Sequence, residues 1–588
     1  IKMCGIVGYV GKEKALPIIL NGLKFLEYRG YDSAGVAYYK NGMVEVKKEV
    51  GKIANLDKII NYDEDTYLGI GHTRWATHGK PSVTNAHPHV SGKFTVVHNG
   101  IIENYLELKD KLLRNGVSFK SETDTEIIAA LLDYNYNGNI LETIKKTLDE
   151  VRGSYALGII CSDDDSTLYT ARLGSPLIIA HNDNGNFIAS DVPAILKYTN
   201  RYYLLDDGEI ATLTKDLITI FDKDLNKIEK EEKIFEGSPE SAMLNGYDHY
   251  MIKEINEQPK VFVDTLNYYV ENNNFKNTMP DFNKYNKIHI VACGSSYHVG
   301  LVGKRIIEEY ANIPVEVYVA SEYRYDKIFY NKDELVILIS QSGETADTLA
   351  ALRKAKNEGV DTLAIVNVVG SSISREADKT LYIKAGPEIS VATTKAYSGQ
   401  LLLLILISIK LSNNLELLKE LDGTLDAIKE VLNIDLREAA EYIAKYENAF
   451  FIGRLTDYAL CMEGALKLKE ISYINCSAFA AGELKHGTIS LINEGIPVIS
   501  VCTEELIAEK TISNIKEVKA RDAYVLFITC DDIEGDFYDK KIVIPKVSPL
   551  TQSLVAIIPL QILSYEIAKI RGCEIDKPRN LAKSVTVE

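Results

Sequence analysis

Leu335-Val336-Ile337-Leu338-Ile339-Ser340-Gln341-Ser342-Gly343-Glu344-Thr345 is an unbroken aliphatic run that stops in a turn of hydroxyls, amide and glycine. A run without polar alternation is a strand buried on both faces, as in parallel sheets covered by helices on both sides. The covering helix is expected from about Ala346. Upstream, Ile288-His289-Ile290-Val291-Ala292-Cys293 repeats the device and ends in Gly294-Ser295-Ser296. About 160 residues further on, Ala449–Gly453 leads into a helix around Ala459–Ile471, and Ile496–Val501 into a helix over Glu504–Ala520. The recurring order predicts an internal duplication of one α/β unit, a match of elements rather than of residues.

The front of the chain reads differently. From Cys4 to about Leu213, short Val/Ile/Tyr runs are broken by Gly and Asn, with clearer helices near Ala15–Glu27 and Thr125–Leu132. That mixture predicts a sheet-rich, layered α+β domain. A charged, aliphatic-poor stretch, Asp222–Glu240, ends in Gly237-Ser238-Pro239 and is the natural boundary. The reading is therefore an α+β domain over 4–240, a linker over 241–284, α/β domains with parallel sheets over 285–424 and 441–578, and a tail over 579–588. At about 100–200 residues per domain, a chain of 588 residues accommodates this.

Hydrophobic residues at 46% and charged ones at 25% suit folded cores and exclude wholesale disorder. The balance of 66 basic against 83 acidic residues gives −17, which works against a nucleic-acid partner. The cysteines, Cys4, Cys161, Cys293, Cys461, Cys476, Cys502, Cys530 and Cys573, show no C-x-x-C spacing. No disulfide framework, metal site or dissociable cofactor is called for. The apolar run Leu401–Ile409 has Lys410 behind it, falls short of the roughly 18–20 residues that span a bilayer, and reads as a buried helix. Gly5, Gly8, Gly11 and the charges at Lys12, Glu13 and Lys14 interrupt the start of the chain, so no export signal is expected. An acidic cytoplasmic protein without a membrane partner is the expectation.

Three clusters carry possible chemistry. In Ser340–Thr345, hydroxyls beside the free N–H groups of a helix start suit a phosphate, whereas plain capping needs only one of them. Gly294-Ser295-Ser296 and Val391-Ala392-Thr393-Thr394-Lys395 are placed to join that pocket, because ligands collect at the carboxyl ends of parallel strands. The G-x-x-x-x-G-K-[ST] loop is missing, so a small sugar phosphate fits better than ATP. Farther on, Glu463, Lys467 and Glu470 fall on one helix face, followed by Ala481-Gly482-Glu483-Leu484-Lys485-His486-Gly487. Such a face is ordinarily a solvated salt-bridge stripe, but here small apolar neighbours such as Ala459, Leu460, Ala465 and Leu468 point to burial. Finally, Cys4 lies three residues from the start. If Ile1, Lys2 and Met3 are removed, it carries both a thiol and an α-amine, which titrates near ~7.7–8.0 and can act as base for the sulfur. The alternative is a buried cysteine that merely begins a strand.

Beside Cys4 stand Tyr28-Arg29-Gly30-Tyr31-Asp32-Ser33, Gly71-His72-Thr73-Arg74-Trp75-Ala76-Thr77-His78-Gly79, His98-Asn99-Gly100 and Glu122-Thr123-Asp124. Together, over roughly residues 4–240, they resemble the glutaminase domain of the N-terminal-nucleophile amidotransferases. The second and third clusters resemble the tandem sugar isomerase domains, over about 285–575. With the ending Lys577-Pro578-Arg579-Asn580-Leu581-Ala582-Lys583-Ser584-Val585-Thr586-Val587-Glu588, the chain is similar to the isomerizing glutamine:fructose-6-phosphate aminotransferase family over nearly its whole length.

The resemblance implies that Cys4 attacks the glutamine amide, giving a thioester and ammonia, with Asn99 and the Gly100 amide as oxyanion donors. It assigns glutamine binding to Arg74, Trp75, Thr77, His78, Gly100 and Asp124, and fructose 6-phosphate binding to Ser296, Ser340, Gln341, Ser342, Thr345 and Val391. It implies that His486 assists ring opening, Lys583 forms a Schiff base at C2, and Glu470, assisted by Lys467, moves a proton between C1 and C2. The implied product is glucosamine 6-phosphate, the first step of amino-sugar synthesis, made by a homodimer joined through its rear domains. Three other readings compete: the same front domain serving another acceptor, a sugar-phosphate deaminase or deglycase, and a non-catalytic sugar-phosphate-sensing protein. The first lacks its pyrophosphate or ATP loop, and the second leaves the front motifs unused.

Overall fold

A computed structural model of the chain describes residues 4–27, 30–75, 79–235 and 243–585. It divides into two compact units, Ile1–Met243 with Ala582–Glu588, and Leu244–Leu581.

Among its described residues, the front unit builds an eight-stranded and a seven-stranded sheet, both antiparallel. Strand β1 (Gly5–Gly11) lies inside the first, and helix α1 (Ala15–Leu26) follows it; β1 pairs with β2 (Leu68–Arg74) on one side and with Gly185–Ala189 on the other. The second sheet contains β3 (Phe94–Ile102), next to its edge strand, followed in the chain by helix α2 (Asp124–Asn135) and by β4 (Gly153–Cys161), which pairs with β3. Ile6 and Val10 of β1, Leu68 and Ile70 of β2, Val97 of β3 and Ile160 of β4 fill the space between the sheets. Helix α1 packs on the strands of the first sheet. On the second, Ile127, Ile128 and Leu131 of α2 meet Phe94 and Val96. The result is helix, sheet, sheet, helix, the layering expected of apolar residues on both faces of the central strands.

The rear unit holds two five-stranded parallel sheets. In the first, β5 (Lys287–Ala292) is followed by helix α3 (Gly294–Ala311), then β6 (Glu334–Ser340), helix α4 (Ala346–Asn357) and helix α5 (Lys395–Ser412). The second contains β7 (Asn448–Gly453), helix α6 (Thr456–Ser472), β8 (Pro497–Cys502) and helix α7 (Gln552–Ile570). Numbered along the chain within each sheet, the strands of both lie in the order 2-1-3-4-5. The duplication read from the element order is thus present in the topology. That order has its switch point between strands 1 and 3, where the crevice for a ligand opens.

Helix α3 of the first lobe packs on α6 of the second, and one hydrophobic cluster runs through both lobes from Met251 to Ile575. Helices α5 and α7, with mean hydropathies of 1.3 and 1.5, are long and apolar enough to cross a membrane by length and composition. Both are instead central helices, buried over 89% and 83% of their apolar windows. The Leu401–Ile409 run therefore sits in a buried helix as read, although the complete helix is longer than the run suggested.

Two segments differ from the sequence reading. Residues 250–269, within the expected linker, form helices Tyr250–Asn256 and Gln258–Tyr269, which bury Met251, Ile255, Val261 and Phe262 in the rear core. The charged stretch after Asp222 contributes Lys227–Ile228 and Lys233–Ile234 as short edge strands of the front sheets.

The α6–α7 contact ties the second lobe together. Gly464 of α6 leaves room for Leu560 of α7, since a Cβ there would stand 3.0 Å from the Leu560 Cδ1. Leu560 is fully buried, so Leu560→Ala in the full chain is expected to destabilise the rear unit by about 2–5 kcal/mol. Urea unfolding would show it as a lowered midpoint; an unchanged midpoint would remove this contact as a determinant.

Candidate functional site

In the front unit, pairing of Gly5 with Thr73 sets the start of β1 beside the end of β2. Cys4 Sγ accepts from the Trp75 backbone N–H at 3.3 Å. The Trp75 ring meets Tyr31 edge-on, with centroids 5.2 Å apart. Arg74 is buried, and its Nη2 donates to the Gly79 carbonyl at 2.9 Å. Burial pulls its guanidinium below the ordinary value, opposed by Cys4, Asp32 and Asp124. Asp124 opens α2, where its Oδ2 accepts from the Ile102 N–H at 3.0 Å. These residues, dispersed in sequence, gather around one point. Thr77 and His78 lie outside the described residues.

Asn99 and Gly100 stand on β3. The Asn99 Nδ2 donates to the Cys4 carbonyl at 2.8 Å and to Ser190 Oγ at 2.9 Å. Both amide hydrogens are therefore engaged, and service as an oxyanion donor requires exchanging one of them. Gly100 has φ +135, and a Cβ there would stand 2.0 Å from the Ser154 carbonyl oxygen, so no other residue fits. Behind Asn99, His72 Nε2 lies 3.0 Å from the His98 carbonyl and 3.1 Å from Asn99 Oδ1. Both are acceptors, so Nε2 carries the proton. The His72 ring packs on His87 at 4.1 Å, and His87 on His89 at 4.9 Å. Sequence reading missed Ser190, for which no signal existed, and the individual role of His72, which sits inside a quoted motif.

In the rear unit, Ser340–Thr345 and Gly294–Ser296 follow strands β6 and β5, at the first lobe's switch point. The Ser340 hydroxyl lies 2.9 Å from that of Thr345 and accepts from the Gly343 N–H at 3.0 Å. Thr345 is the N-cap residue of α4, yet its side chain makes no cap hydrogen bond; its hydroxyl faces Ser340. Gly343 has φ +65, and a Cβ there would meet Ser371 Oγ at 2.0 Å, so the loop closes only on glycine. Gln341 accepts from the Asn367 N–H at 3.1 Å through its carbonyl, and Ser342 Oγ accepts from Glu344 N–H at 3.2 Å. Ser296 Oγ donates to Gln400 at 3.0 Å, and the Val391 N–H to the Asp576 carbonyl at 3.0 Å.

Opposite, α6 presents its charged face inward. Lys467 is 1% exposed at its side chain, with Glu470 Oε2 at 2.7 Å and Glu463 Oε1 at 3.4 Å, and it donates to Ser295 Oγ of α3 at 3.0 Å. Burial alone would lower its pKa, but the two carboxylates outweigh that and raise it. Glu463 is likewise buried and is held below the usual carboxylate range by Lys467 and then His298, whose Nδ1 lies 2.8 Å from Glu463 Oε2. The helix ends at Tyr473, φ +64, whose hydroxyl accepts from the Arg579 N–H at 2.8 Å while its ring carries the Arg579 guanidinium at 4.1 Å. His298 and Tyr473 were not singled out in sequence. His486 is exposed on a short turn, Leu484–His486. Lys583 belongs to the Ala582–Glu588 segment grouped with the front unit.

The corresponding crevice of the second lobe is filled by its own carboxylates. Asp457 Oδ2 accepts from the Thr503 N–H at 2.8 Å, and Glu504 Oε1 from the Thr456 N–H at 3.3 Å. The Thr503 and Thr456 N–H groups at this point are thus already bonded within the second lobe.

Residues 72–197 match the glutamine amidotransferase domain, and residues 281–409 and 442–568 match the SIS domain. The chain is 50% identical to the glutamine–fructose-6-phosphate aminotransferase (isomerizing) of Caldanaerobacter subterraneus subsp. tengcongensis and 48% identical to that of Clostridium tetani, each over 100% of both chains. The chain belongs to this aminotransferase family. The rear unit of this family member is also similar to the solved C-terminal domain of glucosamine-fructose-6-phosphate aminotransferase from Francisella tularensis, at 37% identity and a TM-score of 0.55, covering 57% of this chain and 99% of that one.

The histidine stack gives the front unit a pH dependence. Burial holds His72 down to about 3, and His87 and His89 well below the usual histidine range. Folding thus favours the neutral rings, and the unfolded chain takes up more protons once pH falls below about 6.5. Each ring costs about 1.4 kcal/mol per pH unit between the unfolded and folded values. The thermal midpoint of the front unit is expected to fall between pH 7 and pH 5, and a midpoint independent of pH over that interval would contradict the assignment.

Proposed function

We propose that the chain hydrolyses glutamine in its front unit and uses the ammonia in its rear unit to convert fructose 6-phosphate into glucosamine 6-phosphate. The observation that carries the reading is the buried Glu463–Lys467–Glu470 face lying against the helix that opens beside the hydroxyl cradle, in a chain of this family. A non-catalytic sensor needs the cradle but has no use for a buried ammonium shared by two carboxylates.

In the front unit, the Cys4 thiol adds to the glutamine side-chain carbonyl, with the α-amine of a chain beginning at Cys4 as base. Ammonia leaves, and water releases glutamate from the thioester. Asn99 and the Gly100 N–H stabilise the oxyanion, while Arg74 and Asp124, with Trp75, Thr77 and His78, hold the amino acid through charge-assisted bonds. In the rear unit, Ser340, Gln341, Ser342 and Thr345 hold the phosphate, with Ser296 and Val391 completing the pocket. His486 passes a proton at the ring oxygen as the sugar opens. Lys583 forms a Schiff base at C2 with loss of water, ammonia adds to that carbon and displaces the Lys583 amine, and Glu470, its charge steadied by Lys467, then takes a proton from C1 and returns it at C2 as C1 becomes the aldehyde carbon. The domain roles follow the sequence boundaries, 4–240 for the glutaminase, 285–424 and 441–578 for the isomerase lobes, and 579–588 for the tail. The exposed His486 serves a neighbouring subunit in a homodimer of the cytoplasm.

The reading is tested by assaying glucosamine 6-phosphate from glutamine plus fructose 6-phosphate, on chains verified by mass to begin at Cys4. Cys4→Ala is expected to lose glutamine-dependent synthesis and to recover product with ammonium, whereas Lys583→Ala loses both. Glutamine hydrolysis is expected to be weak until fructose 6-phosphate is added. No product from wild-type chains with either nitrogen source, or a glutaminase rate independent of sugar, would overturn the corresponding half.

A further inference from the structure

His298 and Glu463 take no part in the chemistry above, yet they are among the most costly groups in the rear unit to bury. Glu463 is 0% exposed and His298 is 9% exposed, and they stand on different lobes, His298 on α3 and Glu463 on α6. Their contact, Nδ1 to Oε2 at 2.8 Å, is a hydrogen bond across the lobe interface. The other Glu463 oxygen faces Lys467 at 3.4 Å, and Lys467 faces Glu470 at 2.7 Å. The four side chains therefore form one continuous row: imidazole, carboxylate, ammonium, carboxylate. A second tie from the same helix, the Ser295 hydroxyl, reaches Lys467 at 3.0 Å.

We infer that His298 is a positioning residue of the sugar-converting site, whose Nδ1–H fixes Glu463 on one side of Lys467 so that the ammonium is shared with Glu470 in a constant geometry. This rests on the reading that Glu470 moves the proton between C1 and C2. The physical argument concerns a buried carboxylate with two oxygens. Without the His298 donor, Glu463 keeps Lys467 and the Ser295 hydroxyl as its partners, loses one of its two neighbours from the first lobe, and draws the ammonium toward itself, away from Glu470. With the donor, one oxygen is satisfied from the first lobe, and the Lys467 charge remains divided. The function required of His298 is donation alone; it neither gains nor loses a proton in the reaction. An asparagine, whose amide nitrogen occupies nearly the place of Nδ1, can therefore substitute. A phenylalanine, which keeps the ring volume and lacks the donor, cannot.

The full chain is assayed for glucosamine 6-phosphate formation with His298→Phe, His298→Asn and Glu470→Gln, using fructose 6-phosphate with hydrogen or deuterium at C1. His298→Phe is expected to lower kcat by about 100-fold, of the order lost with a positioned acid–base group, with KM for the sugar changed less than about threefold. The deuterium effect on kcat should be larger than in wild type, because proton abstraction becomes slower while other steps do not. A fold defect alone would leave that effect unchanged. His298→Asn is expected to recover kcat to within about fivefold of wild type. A His298→Phe enzyme with wild-type kcat overturns the inference, as does one whose loss comes with an unchanged isotope effect. Should the Phe variant not fold, His298→Asn still decides: a folded Asn variant as impaired as Glu470→Gln overturns the donor role. If Glu470→Gln itself retains the wild-type rate, the reading of the site falls and this inference with it, whereas a dead Glu470→Gln beside an unaffected His298→Phe removes the inference alone.

Discussion

A single ammonium, that of Lys467, sets the terms for the rear unit. At 1% side-chain exposure it has given up nearly all hydration, and only opposite charge at close range can hold it there. Glu463 and Glu470, one turn away on either side, supply that charge from the same helix. Two carboxylates, Glu463 fully and Glu470 partly buried, stand against one cation, and the polar groups that join them, His298 and Ser295, come from the opposite lobe. The lobes are therefore bound by a polar network as well as by apolar packing, and the packing of α3 on α6 cannot shift without breaking it. Geometry for chemistry and cohesion of the duplicated fold depend on the same few atoms.

Duplication explains why this arrangement has a direction. Both lobes have the 2-1-3-4-5 strand order and hence a crevice at the same topological point. In the first lobe the crevice is lined by hydroxyls and closed by Gly343, the left-handed residue that lets the loop approach Ser371. In the second, Asp457 and Glu504 occupy the equivalent N–H groups, and burial pushes Asp457 up to about 7. With those N–H groups already bonded, the crevice offers an anion fewer donors. One copy thus keeps an open hydroxyl-lined end, which the proposed function uses for the sugar phosphate, while the other contributes the face of its first helix, and the two meet where α3 begins beside the cradle.

The parallel strands, the repeated element order and the buried Leu401–Ile409 helix were legible in the sequence because each is a local pattern of apolar residues. The hydroxyl cradle was legible for the same reason, being contiguous. The charged face of α6 could be placed on one side of a helix, but its burial rested on small neighbours rather than on any view of α3. His298 was invisible because its partner is 165 residues away and nothing in its own helix marks it. The helices of 250–269 were read as linker because they lie between the boundary stretch Asp222–Glu240 and the first buried strand of the rear lobes, whereas their apolar faces find a core only once those lobes exist. Ser190, paired with Asn99 across 91 residues, failed to show for the same cause. Contacts that depend on tertiary approach leave no periodicity behind.

The front site solves its own electrostatic problem by the opposite means. Where the rear unit buries charges in a compensated row, the front unit surrounds Asn99 with histidines kept neutral by burial, the nearest of which donates to it rather than charging it. A cation behind Asn99 would polarise the amide permanently and draw its oxygen inward. A neutral donor fixes the amide's orientation while its nitrogen bonds the Cys4 carbonyl and Ser190, the partners it would exchange for an oxyanion on the proposed reading. Arg74 is a buried cation near Cys4, the group that on the proposed reading meets the substrate carboxylate. A fixed charge row suits a site that must hold one proton donor and acceptor in constant geometry, and a neutral hydrogen-bonded stack suits one in which charge appears only in the transition state.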